Sequence, residues 1–202
     1  FYLKGNQVLG TEEEWEPLRR LAACIEADDE TFTQQIGQLV NMSNLVDNWL
    51  FFQAIGGFDN SNKNMYYAAR NENGNYRGYF IPWDLNISFG AVYADNKYYA
   101  EETLEEIGTQ VRFEPGCRAI ALDADHARAL AKEKWEDWKE KAFTTEALLE
   151  RAQHLQQELT GSGAMAREME RWPGGNASTD LSLLTEFTKQ RMAYMDSMID
   201  GL

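Results

Sequence analysis

The sequence predicts an α+β fold that is predominantly α-helical, with one β-hairpin in the middle of the chain. Three observations carry that expectation. Apolar residues recur at three- and four-residue spacing on both sides of residues 58–90. Between those regions, two strand-like runs flank Asn73-Gly74, a strong short-range signal for a hairpin. The composition is that of an ordinary globule, 44% hydrophobic and 26% charged over 202 residues. A chain of this length buries roughly 70% of its unfolded surface, so residues 1–202 suffice for one domain without a metal or disulfide staple.

Each element follows from its own signals. Over residues 12–26, Trp15, Leu18, Leu21, Ala22 and Ile25 fall at helical spacing behind Thr11 as N-cap, with acids in the first turn. A second helix follows Asp28 or Asp29, with Phe32, Ile36, Leu39 and Val40 on one face. Ser43 reads as the cap of a third, carrying Leu45, Val46, Trp49, Leu50, Phe52 and Ile55 and ending at Gly56-Gly57. Because that helix is apolar nearly all round, it belongs at the centre of the core, with Trp49 and Phe52 buried.

After the turn-prone residues 58–64, the runs 65–69 and 76–81 read as strands. Residues 91–122 lack a clear period, carry acids such as Asp95, Glu101, Glu102, Glu105, Glu106 and Glu114, and read as an acidic loop with short elements. Helical spacing returns with Ala127, Ala131, Trp135, Trp138 and Ala142 behind Asp123. It continues with Leu148, Ala152, Leu155 and Leu159 behind Thr144 or Thr145, and with a short helix near 165–172. A last helix, capped by Ser178 or Thr179, carries Leu181, Leu184, Phe187, Arg191, Met195 and Met198.

Charge and composition exclude several functions. A net charge of −14 repels a phosphate backbone and an anionic lipid surface, so neither nucleic acid nor membrane is an expected partner. No run reaches the roughly 18 apolar residues of a membrane span. The chain starts at Phe1 rather than at Met, which reads as a processed or excised product. Two cysteines, Cys24 and Cys117, and two histidines, His126 and His154, offer no zinc spacing. Both cysteines read as small buried hydrophobes, with a disulfide between them left open. Sequons at Asn41, Asn86 and Asn176 matter only in a eukaryotic secretory setting.

The chemistry lies in residues 56–90. Asp59 and Asn64 stand five apart in the loop before the hairpin, and Asp84 stands just beyond its second strand. A hairpin returns both loops to one edge, so two carboxylates and an amide oxygen can converge, a sparse oxygen set that suits magnesium and phosphate. In phosphoryl transfer one Asp orients the nucleophile, an Asn five residues later holds a metal, and an Asp after the next strand bridges metal to phosphates. Plain turn chemistry explains the same residue types. An EF-hand starting at Asp59 is excluded, because its fifth and twelfth positions would be Lys63 and Arg70 and its sixth has no glycine. Trp83, beside Asp84, reads as a packing anchor rather than a nucleobase platform.

The run NLVDNWLFFQAIGGFDNSNKNMYYAARNENGNYRGYFIPWDLNISFG, residues 44–90, resembles the active-site region of the spore-coat protein H kinase-like (CotH-type) family. That family is marked by a helix leading into D-x-x-x-x-N, a hairpin, and a segment of the form F-I-P-W-D-L-D-x-S-F-G. The flanks are similar too: an N-terminal FY segment, and C-terminal helices with FTTEALLERA and RW. The resemblance implies an atypical protein-kinase-like C-terminal lobe in which Asp59 is the catalytic-loop Asp and Asn64 and Asp84 are metal ligands. It implies ATP as phosphate donor, Mg2+ or Mn2+, a coat or surface protein as substrate, and an exported, cell-surface or spore-coat location in a bacterial setting.

Three departures qualify the match. The second acid of Asp-Leu-Asp is Asn86 here, no His-Arg precedes or follows Asp59, and no Gly-rich loop or Lys/Glu pair is found before Gly56. A nucleotide-clamping N-terminal lobe is therefore expected outside this chain, in cis, with the isolated chain inactive. The alternative is a pseudokinase or a structural coat or cell-surface interaction module without catalysis.

Overall fold

The core is assembled around a helix with almost no polar face. In the computed structural model, which describes residues 11–60, 63–91, 111, 113–175 and 178–202, this is α3, Met42–Ile55, after α1, Glu12–Glu26, and α2, Asp29–Leu39. Ten of its fourteen residues are buried, Trp49 and Phe52 among them, so it is a hub rather than a surface helix. Asn41, not Ser43, caps it: the Asn41 side chain accepts from the Asn44 N–H at 2.9 Å. At the other end Gly56 adopts the left-handed conformation, φ 63°. The Gly57 N–H returns to the Phe52 carbonyl at 2.9 Å, closing the last turn as glycine permits. Thr11 and Asp28 cap α1 and α2 as the sequence predicts, and Thr11 forms a reciprocal capping box with Glu14.

The strands β1, Met65–Glu72, and β2, Asn75–Pro82, pair antiparallel from Met65↔Pro82 to Glu72↔Asn75. Asn73 and Gly74 both have positive φ, 55° and 91°, the conformation a two-residue primed turn demands. Tyr67 and Phe80, paired across the strands, turn toward the core, where Phe80 meets Phe113 edge to face at 5.0 Å. A two-stranded sheet is marginal alone. This one is seated on α3 by three asparagines one helical turn apart. Asn44 donates to the Phe80 carbonyl at 3.2 Å and accepts from the Phe80 N–H at 2.7 Å. Asn48 donates to the same carbonyl at 3.1 Å, and Asn41 donates through Nδ2 to the Tyr79 hydroxyl at 3.1 Å. Polar residues on an otherwise apolar helix thus satisfy the open edge of β2.

The second half is helical: α4, Glu114–Leu122; α5, Ala127–Lys141; α6, Thr145–Gly161; α7, Ala164–Arg171; and α8, Ser182–Asp200. With α1 to α3 these make eight α-helices among the described residues, and the predicted helix-rich α+β class is what the chain adopts. Helices α4, α5 and α8 pack against α3.

Several expectations are corrected. Residues 114–122 form a helix that the sequence leaves without a period. Arg118 on it donates to the carbonyls of Ile25 and Ala27, at 2.9 and 2.8 Å, at the end of α1. Leu155 and Leu159 are exposed rather than buried, and Ala142 lies in solvent at the end of α5. The last helix starts at Ser182 with Asp180, not Ser178 or Thr179, accepting from its first N–H at 2.9 Å. Cys24 is buried, Cys117 is half-buried, and the two are not joined in a disulfide. Among the described residues no helix is long and apolar enough to cross a membrane. The N-terminal FY segment, the acids at 95 and 101–106 and the Asn176 sequon lie outside the described residues.

Candidate functional site

Beyond the Gly56-Gly57 turn, a single 3-10 turn, Phe58–Asn60, buries the next two polar side chains. Asp59 is 8% exposed and Asn60 0%. A carboxylate so placed needs partners for its oxygens, and both have one. Lys63 Nζ lies 2.9 Å from Oδ1, and Asn64 Nδ2 donates to Oδ2 at 2.7 Å. The predicted Asp59 and Asn64 are thus in direct contact. With its amide nitrogen on Asp59, Asn64 turns its carbonyl oxygen away from that carboxylate.

Asp84 follows a residue whose backbone is bound to Asn64 and Asn60. The Trp83 N–H donates to the Asn64 carbonyl at 2.9 Å. Asn60 Nδ2 donates to that carbonyl at 3.0 Å and to the Trp83 carbonyl at 2.7 Å. The entrance and exit of the hairpin are therefore clamped together, with Asp84 the next residue along. Its carboxylate is exposed, and among the described residues no hydrogen bond or ion pair holds it. Downstream, the Phe89 N–H bonds the Ile55 carbonyl at 2.6 Å, so the loop after Asp84 returns to the end of α3. Asn64, Asp84 and Phe89 all have positive φ, 57°, 57° and 51°. The left-handed region is tolerable for Asn and Asp but costly for Phe, and such strain gathers where loops are held to a purpose.

The donor chemistry fits a hard divalent cation, though sparsely. Two carboxylates, Asp59 and Asp84, and the Asn64 amide oxygen are the kind of set that leaves room for waters and phosphate oxygens. Among the described residues no group of three His, Cys, Asp or Glu side chains could hold a metal. Asn60 Oδ1 is buried without a hydrogen-bond partner, a state that costs about 1–3 kcal/mol unless a water or ligand meets it.

Three residues of this region were not read correctly from sequence. Trp83 is 54% exposed, so it is no packing anchor; it meets the equally exposed Tyr66 edge to face at 5.6 Å between ring centroids. Lys63 enters the sequence reading only as the residue that excludes an EF-hand, although a cation four residues from an Asp is a visible signal for the ion pair it makes. Asn60 had no signal, because its partners lie in the main chain of residues brought near only by the hairpin.

Comparison with known proteins gives one positive finding. A family model described as CotH kinase protein matches residues 3–195, nearly the whole chain. Neither the comparison with curated proteins nor that with solved structures returned a match.

Proposed function

Because the chain belongs to the CotH kinase protein family, we propose that it forms the acceptor- and metal-binding lobe of an atypical protein kinase that moves the γ-phosphoryl group of ATP to a protein hydroxyl. The observation that carries this reading is the Asn64–Asp59 hydrogen bond, with Asp84 clamped alongside through Trp83. Asp59 accepts the hydroxyl proton while the acceptor oxygen bonds to the γ-phosphorus and the bond to the bridging oxygen breaks, releasing ADP. Low exposure fixes Asp59 in one orientation, so its work is positioning as much as basicity. Asp84 and the Asn64 amide oxygen would hold Mg2+ or Mn2+, which when bound supplies charge neutralisation for the phosphates. The exposed pair Tyr66 and Trp83 offers an aromatic face on which a nucleobase can stack, next to Asp84.

The acceptor in this reading is a coat or surface protein, and the setting exported, cell-surface or spore-coat. No residue of the chain is assigned as a phosphate-covering loop or its lysine, so the chain alone is expected to bind nucleotide weakly and to transfer negligibly. A non-catalytic reading, as pseudokinase or surface module, draws on Asn86 in place of an acid and on the Lys63 ammonium seated against Asp59.

The test uses the full-length natural protein and γ-labelled ATP. Asp59→Asn is expected to lower phosphoryl transfer by about 100-fold or more while nucleotide binding is kept. Undiminished transfer by Asp59→Asn would reject the assignment. Magnesium-dependent nucleotide binding without any transfer in the wild type would favour the pseudokinase.

A further inference from the structure

We infer that Asn60 is a positioning residue that sets the register between the Asp59–Asn64 loop and the Asp84 loop; as a statement about phosphoryl transfer it rests on the reading above. The side chain is fully buried, and it spends both amide hydrogens on main-chain carbonyls of two segments 19 residues apart. Nδ2 reaches the Asn64 carbonyl at 3.0 Å and the Trp83 carbonyl at 2.7 Å. These carbonyls belong to the proposed metal ligand Asn64 itself and to the residue preceding the other ligand, Asp84. A third bond, from the Trp83 N–H to the Asn64 carbonyl at 2.9 Å, closes the triangle.

The orientation of the carboxamide is determined by chemistry. Turned over, it would press Oδ1 against two carbonyl oxygens, so the donor side must face them. Oδ1 is then the atom left buried without a partner. The donor side is thus wholly committed to the two loops, and the acceptor side is left over.

Asn60 touches neither the reacting atoms nor, on this geometry, the cation; it acts by fixing the residues that do. Outer groups of this kind typically change metal affinity by about 10- to 100-fold when removed. Asp59 keeps its own partners, Asn64 and Lys63, so the loss falls on the relation between the loops.

The experiment compares wild type, Asn60→Ala, Asn60→Ser and, as a core control of unrelated position, Ile199→Ala in α8. Ser keeps one donor and serves if Ala does not fold. Two readouts are taken: amide hydrogen exchange at Trp83, and Mn2+ binding in the presence of ATP followed by electron paramagnetic resonance. Both Asn60 variants should exchange the Trp83 amide at least about tenfold faster and bind Mn2+ with ATP at least about tenfold more weakly. Ile199→Ala should leave both unchanged at an equal or larger loss of thermal stability. Wild-type values for both in either Asn60 variant, or equal losses in Ile199→Ala, would overturn the inference. If the wild type binds no Mn2+ with ATP yet the Asn60 variants loosen Trp83, the clamp stands and the phosphoryl-transfer reading fails.

Discussion

Two buried polar side chains in this molecule hold main-chain carbonyls around the turn that follows α3. Asn60 is one and Arg191 another. Arg191 is fully buried and donates through Nε to the Gln53 carbonyl at 2.6 Å and through Nη2 to Gln53 Oε1 at 3.2 Å. Gln53 in turn reaches the Val111 carbonyl at 3.1 Å. Burial pulls the guanidinium down to about 10, still far above neutral pH, so the charge persists and holds the last turn of α3 that aims the chain at Asp59. The apolar side of the same turn is more easily weighed. Trp49 is 4% exposed and lies beside Gly116 of α4, where an added Cβ would come within 2.9 Å of the Trp49 Cβ. So close a fit leaves little room for collapse, and Trp49→Ala should lower unfolding free energy by about 3–5 kcal/mol in urea denaturation. No loss would refute its place in the core. Trp49 and Phe52 were legible as core residues because a helix apolar on all sides has nowhere else to go. Arg191 was read only as a member of a helical stripe, since nothing in that spacing reveals a buried charge meeting a glutamine 138 residues away.

At the scale of elements, a side chain acting on its own helix was legible at Thr11 and Asp28 but not at the last helix, where Asp180 rather than Ser178 or Thr179 does the work. Asp28 accepts the Thr31 N–H at 2.8 Å and Asp180 the Ser182 N–H at 2.9 Å. Those backbone hydrogen bonds hold both carboxyls below their ordinary value of 3.8. A carboxyl whose value is lower in the folded than in the unfolded chain stabilises the fold above the unfolded value. That contribution is lost as pH falls through the folded one. The double variant Asp28→Asn, Asp180→Asn keeps capping oxygens that cannot be protonated. Its thermal midpoint should therefore fall less than the wild type's as pH drops below about 3.8; parallel curves would show that these caps do not contribute. Helix α4 was illegible for a local reason: Pro115 and Gly116 look like a turn, yet Pro is welcome in a first turn and Gly116 admits the close approach of Phe113 and Trp49. The apolar positions Leu155 and Leu159 keep helical spacing yet are exposed, which periodicity alone cannot reveal.

The whole molecule is a helical body that presents two loops at the ends of one hairpin. Asp59, Asn64 and Asp84 were candidates from sequence because the hairpin turn Asn73-Gly74 places their loops at one edge and because the run around them resembles a known active-site region. The pairing of Asp59 with Asn64 followed, but its means did not. The Asn60 clamp, the asparagine seat on α3 and the Phe89–Ile55 closure depend on residues far apart in the chain. Family membership across residues 3–195 gives those loops a kinase-like setting, while the net charge of −14 sets an electrostatic barrier to a triphosphate that a cation must lower. The central claim is therefore a coupling between nucleotide, cation and Asp84. Calorimetric titration of ATP into the wild type and Asp84→Ala, each with and without magnesium, measures it directly. Weak binding that needs magnesium and vanishes in Asp84→Ala is the predicted result; tight binding without magnesium, or binding that survives Asp84→Ala, would contradict the account.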